Sequence, residues 1–395
     1  MIVVWGVALI KMTKTLEQRL PNPVFPEGQK VSQGWKNSVR GFYVENATPG
    51  LYTLDIEHIP DELVAIHNNP SDKRSIGQSY TGRVCLHNCP GCFNREDIVY
   101  EKFKKDLSGK PVLNRIMTLE ETFGVINQAR EIAAQEAHDF RIVKFLGPGE
   151  LLMNPQLFTI IEEYAKRGIH FSIFTKGALL GSDELAMKYQ GMSASDLVNK
   201  LAGYDNVSLL FSFQSFDSRK QDAFVTSSDN GGPLRGLKGY TELRDNALEY
   251  IFKSPFYQEG ITERICILNT PITPENIDES FEIYKFFVER GTPLIMTPSM
   301  VSGRGARLVE EQEHDNGAKW HNDLVELYAR IYAYNVLKGV QTPEQIEQEG
   351  ISSYVGGVPC NQASTGLYIR ANGIVQMCPG RFDEETIFGD LRDES

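Results

Sequence analysis

From about residue 79 onward the apolar positions follow two alternating rhythms. Short apolar runs at Arg141–Leu146, His170–Thr175, Val207–Ser215, Arg264–Asn269 and Pro293–Pro298 predict strands. Between them Asn154–Gly168, Ser193–Ala202, Gly239–Phe252 and Thr273–Arg290 carry the period and end signals of helices. Thr118 and Glu121 form a capping-box signal before the first helix of the series. Strands that alternate with helices several turns long imply βαβ units, a parallel sheet and an α/β fold.

The flanks read differently. In residues 1–78, Pro21, Pro23, Pro26 and Gly28 interrupt any helix, and Gly41–Ile56 predicts two short strands around an Asn-Ala-Thr-Pro-Gly turn. This stretch is expected to be an N-terminal extension. Ala318–Gly339 predicts one long helix, with Trp320, Leu324, Leu327, Tyr328, Ile331, Tyr332 and Val336 near a 3.6-residue period. It lies in a linking helical region, 306–354. In 355–395, Leu367–Arg370 and Ile374–Cys378 flank Asn372-Gly373, a hairpin signal that predicts a small C-terminal module.

Composition narrows the class. With 41% apolar and 23% charged residues in 395, the chain is an ordinary globular protein. Its 40 basic and 52 acidic residues give a net charge of −12, which repels phosphate backbones and argues against a nucleic-acid partner. Met1–Ile10 is too short to span a bilayer, and no Lys or Arg precedes it as in an export signal. A reducing cytoplasm and no membrane association are therefore expected. Of the six cysteines, Cys85, Cys89 and Cys92 are crowded together, which in such a compartment points to metal binding rather than disulfides.

The sharpest motif is Cys85-Leu-His-Asn-Cys89-Pro-Gly-Cys92-Phe93. Three thiolates at these spacings converge on one iron–sulfur cubane only from a loop, which Pro90 and Gly91 favour. Three protein ligands leave one iron of a four-iron cluster open to a small molecule. This C-x3-C-x2-C arrangement followed by an aromatic resembles the radical S-adenosylmethionine superfamily. The resemblance implies a partial (β/α)6 TIM-like barrel over residues 79–305, a [4Fe-4S] cluster on Cys85, Cys89 and Cys92, and S-adenosylmethionine on the open iron. It also implies an oxidoreductase-type chemistry: reductive cleavage of the cofactor to a 5′-deoxyadenosyl radical, hydrogen abstraction from a peptide or small metabolite, and a reductant such as flavodoxin or ferredoxin. The family usually places an aromatic where this chain has Gly91; Phe93 offers cover from the other side. The competing reading is a non-catalytic iron–sulfur or zinc protein for electron transfer or scaffolding. Zinc would use these cysteines with His87, but no second C-x2-C pair follows at zinc spacing. His87 otherwise reads as a hydrogen-bond donor near the site or a surface residue.

The same resemblance nominates cofactor-binding residues, and catalytic residues stay unassigned. Gly147-Pro148-Gly149-Glu150 is similar to the family's Gly-Gly-Glu element, where Gly147 and Gly149 would let the backbone approach the cofactor and Glu150 would accept from its ammonium. Thr175 opens Thr175-Lys176-Gly177, in the place of the family's Thr-Asn-Gly. Ser212 and Gln214, on one face of a strand, and Asn269 are candidates for the cofactor's ribose and carboxylate. Arg304, in a loop Ser302-Gly303-Arg304-Gly305, is a candidate partner for the cofactor carboxylate or a substrate acid. The plainer readings are a Gly-Pro turn, polar residues on a half-exposed strand and a solvated loop arginine.

Cys360 and Cys378, with Gly373 between them, are similar to the start of the SPASM and twitch extensions, as is the closing Gly389-Asp-Leu-Arg-Asp-Glu-Ser395. Such tails bind auxiliary iron–sulfur clusters and occur on peptide maturases, sulfatase-maturing enzymes and small-molecule dehydrogenases or epimerases. Two thiolates are too few for a cubane, so either further ligands follow Ser395 or the module has lost its cluster. One cluster per chain is expected. Cys266, in mid-strand, reads as a buried structural thiol.

Overall fold

The structure is a computed structural model and describes residues 15–23, 49–68, 85–92, 116–147, 149–228, 234–258, 260–262, 264–299, 303–349, 365–378 and 387–391. Its strands are β1 (Thr53–Ile56), β2 (Ile142–Phe145), β3 (His170–Thr175), β4 (Val207–Ser212), β5 (Thr226–Ser228), β6 (Leu234–Gly236), β7 (Tyr257–Gln258), β8 (Ile261–Thr262), β9 (Ile265–Ile272), β10 (Leu294–Pro298), β11 (Gly366–Ile369), β12 (Ile374–Gln376) and β13 (Ile387–Asp390). One nine-stranded sheet runs β10-β9-β4-β3-β2-β1-β11-β12-β13. Every pairing from β10 to β11 is parallel, and β12 and β13 close the sheet antiparallel. β5 with β6 and β7 with β8 form two small separate hairpins.

The period of two sorts the sheet's side chains. Leu54, Ile56, Val143, Phe145, Phe171, Ile173, Leu209, Phe211, Ile265, Ile267, Leu294 and Met296 lie in the main core. Against them pack the buried stripes of the helices Leu119–Gln135, Leu157–Lys166, Ala194–Ala202, Tyr240–Lys253 and Ile277–Val288. Residues of the other parity form a second, mixed face. Leu210, Cys266, Leu268 and Ile295, with Phe174, make a small apolar cluster there, while Asp55 and Lys144 are a buried ion pair. The helix at Leu119–Gln135 starts at the expected capping box: Thr118 Oγ1 accepts from Glu121 N at 3.2 Å, and Glu121 Oε2 accepts from Thr118 N at 2.8 Å.

Three features differ from the sequence expectation. The sheet begins ahead of residue 79, because β1 pairs with both β2 and β11. The strand expected within Gly41–Ile56 is thus a member of the main sheet, not of a separate extension, and its Asp55 is paired with Lys144 of β2. The hairpin around Gly373, whose φ is +85°, forms as expected but extends the main sheet through β11 instead of standing apart. Glu57 holds it there: its carboxylate accepts from Tyr368 Oη and from Ala371 N at 2.8 Å, and faces buried Arg370. Finally, Gly303 and Arg304 open a single helix, Gly303–Lys338, rather than a loop. Among the described residues, no helix is long and apolar enough to cross a membrane.

Candidate functional site

The cysteine loop is pinned by its own backbone and by two distant elements. Cys92 N donates to Cys89 O at 3.3 Å, closing the turn at Pro90 and Gly91. Asn88 N donates to Val225 O at 2.9 Å, Asn88 Nδ2 to Ser227 O at 3.0 Å, and Ser227 Oγ to Asn88 O at 2.7 Å. Arg304 closes the third side. Its Nη1 lies 2.9 Å from Asn88 Oδ1, 2.9 Å from Ser227 Oγ and 3.2 Å from Cys89 O, and its backbone N donates to Cys92 O at 2.9 Å. A guanidinium's fixed fan of donors suits such convergence. Arg304 is thus a clamp on the loop, and the first turn of its helix is anchored by the same bonds.

Cys85, Cys89 and Cys92 are half-buried, and Cys89 packs against Ala178, Val225 and Tyr240. Burial pushes the Cys85 thiol well up, and the proximity of Cys89, Glu150 and Cys92 adds to it. Burial also raises Cys89, with Lys176 pulling the other way. The three sulfurs and Glu150 therefore share one neighbourhood, in which thiolates need a cation to form.

Glu150 follows β2 after Gly147 and Gly149, whose φ values of +114° and +101° only glycine adopts easily. Its Oε2 accepts from Thr175 Oγ1 and from Lys176 N, both at 3.0 Å, while Oε1 accepts only a long 3.4 Å bond from Leu152 N. Burial lifts this carboxyl from 4.5 to about 7, partly offset by those hydrogen bonds. Thr175 Oγ1 accepts in turn from Gly177 N at 2.8 Å, and Lys176 O accepts from Tyr240 Oη at 2.7 Å. Tyr240 meets the ring of His87 edge-on, with centroids 5.2 Å apart. A continuous line of contacts thus joins Glu150, the end of β3, Tyr240 and the cysteine loop.

Of the other nominated residues, Gln214 and Asn269 are tied into the core. Ser212 is buried at the end of β4, on the face of Leu210 and beside Leu268 of β9. Gln214 is fully buried and tied down: its Nε2 donates to Thr270 O at 2.7 Å and its Oε1 accepts from Gln221 Nε2 at 2.8 Å. Asn269 has the parity of Ile265 and Ile267, so it lies on the helix side, donating to Phe213 O at 3.1 Å and accepting from Ser280 Oγ at 3.2 Å. These two amides stitch β4, β9 and the helix Ile277–Val288 together. Cys266 is buried in the second apolar cluster, its thiol pushed up by burial, as expected of a structural cysteine. Cys378 is half-buried; Cys360, Pro148, Phe93 and Ser302 lie outside the described residues. Sequence reasoning missed Ser227 and Tyr240. Nothing in the sequence near either residue marks it, since each reaches the loop only through the fold. Among the described residues, no three His, Cys, Asp or Glu side chains are grouped around one metal-ion position.

No protein-family model matches the chain, and no curated protein matches it significantly. Solved structures do. The AdoMet-bound structure of anSMEcpe is 14% identical with a TM-score of 0.52, over 87% of this chain and 78% of that one. Streptococcus suis SuiB bound to precursor peptide SuiA is 15% identical with a TM-score of 0.43, over 87% of this chain and 64% of that one. The chain therefore spans less than two thirds of SuiB. TYW1 with a lysine-pyruvate adduct is 16% identical with a TM-score of 0.34, over 66% of this chain and 77% of that one. At such identity the likeness is one of architecture: the chain shares its fold with anSMEcpe.

Proposed function

We propose that this chain is a radical S-adenosylmethionine enzyme that holds a [4Fe-4S] cluster on Cys85, Cys89 and Cys92 and acts on a peptide or small-molecule substrate. The observation that carries the reading is the clamped cysteine loop beside Glu150, past the ends of β2 and β3. In open α/β sheets this carboxyl edge is where ligands bind. The donors fit a cubane: each thiolate takes a different iron, so the three neighbouring sulfurs of Cys85, Cys89 and Cys92 need not meet at one point.

The bound cluster would supply the electron that splits S-adenosylmethionine into methionine and a 5′-deoxyadenosyl radical. The chain's own residues do the rest. Gly147 and Gly149 let the protein backbone approach the cofactor, and Glu150 Oε1, with one long bond only, accepts from its ammonium. Thr175 and Lys176 N hold the other carboxylate oxygen in place. Strands β1–β4, β9 and β10 act as a partial (β/α)6 barrel that starts at β1. Its inner face, charged at Asp55 and Lys144 and apolar at Leu210, Leu268 and Ile295, suits a substrate with one polar and one apolar end. A cytoplasmic location and a flavodoxin- or ferredoxin-type reductant complete the proposal, with one cluster per chain.

The test is anaerobic reconstitution with iron and sulfide, then reduction with dithionite in the presence of S-adenosylmethionine. Formation of 5′-deoxyadenosine is expected. A protein that takes up zinc in place of iron, or iron without cofactor cleavage, refutes the proposal.

A further inference from the structure

His87 sits inside the cysteine loop with only 8% of its surface exposed, and neither ring nitrogen has a hydrogen-bond partner. Among the described residues it is the only buried ring unpaired at both nitrogens; His58, by contrast, keeps Nε2 on Tyr164 Oη at 2.7 Å. Leaving a buried polar group unpaired is costly, so such groups call for an explanation in a bound partner. The ring has little freedom to turn outward. Asn88 and Cys89, next along the chain, are fixed by Val225, Ser227 and Arg304, and Tyr240 covers one side with its hydroxyl committed to Lys176 O.

The geometry points to one role, which rests on the cluster reading above: His87 donates its ring N–H to a sulfur of the cluster held by Cys85, Cys89 and Cys92. An imidazole carries at least one N–H in any protonation state, and sulfide and thiolate are the acceptors that arrive with the cluster. A donor to sulfur stabilises the more negative, reduced cluster and raises its reduction potential. His87 is a tuning residue in this arrangement, not a ligand.

The experiment compares wild type, His87→Phe and His87→Gln after anaerobic reconstitution, reading iron per chain and the potential from an EPR-monitored redox titration. Phenylalanine keeps the contact with Tyr240 and removes the donor; glutamine keeps a donor. The expected result is unchanged iron in all three. His87→Phe should move to a more negative potential by about a tenfold change in the reduction equilibrium, about 59 mV for one electron. His87→Gln should fall between the two. Loss of iron in both variants would make His87 a ligand and overturn the inference. A full cluster with the same potential in all three, or equal shifts in both variants, overturns it as well while leaving the cluster reading intact. A wild-type chain that takes up no iron overturns both.

Discussion

Asp55 and Lys144 stand opposite each other on β1 and β2, with Oδ1 3.1 Å from Nζ and each side chain 3% exposed. Burial raises the Asp55 carboxyl, and Lys144 pulls it back. Removing one member breaks a buried ion pair, so Asp55→Asn and Lys144→Met should each cost about 3–5 kcal/mol, read as lower urea midpoints. The double variant Asp55→Leu with Lys144→Met should recover much of that loss. Additive losses would show that the pair is not coupled.

Arg304 ties the cysteine loop through three side-chain contacts. Arg304→Met should loosen the loop in the metal-free protein, speeding amide exchange at Asn88 and Cys92 by about tenfold to a hundredfold for about 1.5–3 kcal/mol lost. Unchanged exchange with weaker S-adenosylmethionine binding would instead make Arg304 a cofactor ligand.

Glu150 gives the protein a pH signature. Its carboxyl is lifted from 4.5 to about 7, so between those values the native state holds more protons than the unfolded one. Stability should therefore be highest below about pH 4.5 as far as this group is concerned, fall as pH rises to about 7, and level off above, by about 3 kcal/mol in all. Glu150→Gln should abolish that slope in denaturant titrations. Cofactor binding should run the opposite way, tightening as pH rises through about 7, because the ammonium needs an ionised partner. Glu150→Ala should weaken it about tenfold to a hundredfold. A cofactor affinity flat with pH would separate Glu150 from the ammonium.

Gly177 has φ +74°, and a Cβ built on it would lie 2.1 Å from the Phe211 ring. Gly177→Ala should cost about 1–3 kcal/mol through overpacking and backbone strain. Adding Phe211→Leu should relieve the crowding but not the strain, a partial rescue visible by calorimetry.

Replacing Cys85, Cys89 or Cys92 with Ala should abolish the iron–sulfur absorbance, since two thiolates do not retain a cubane. Wild type should hold about four irons per chain. About eight would reveal an auxiliary cluster on Cys360 and Cys378 with further ligands.

Local signals survived into the structure where short-range physics decides. The Thr118–Glu121 box, the Asn372-Gly373 turn and the runs at β3, β4, β9 and β10 all appear close to their expected bounds. What was illegible depends on partners remote in sequence. A strand was legible at Thr53–Ile56, but not its place between β2 and β11. Arg304 looked like a loop residue because its helix start is stabilised by carbonyls of the cysteine loop. Asn269 resembled a cofactor ligand by position, but strand parity turns it toward Ser280. Its place in the core could have been anticipated by counting from Ile265 and Ile267.

The parallel pairing of β1 with β11 joins Thr53 to Gly366 and Ile56 to Ile369, more than three hundred residues apart. During synthesis β1 can find β2 early, yet its other edge stays open until the last strands emerge. Closing so long a loop is entropically demanding, and parallel pairings of this range form slowly. The nascent protein therefore passes through a period with an unprotected strand edge, already bearing the cysteine loop. Assembly of this fold should be slow, sensitive to truncation at the C-terminal side, and in need of shielding from edge-to-edge association until β11 docks.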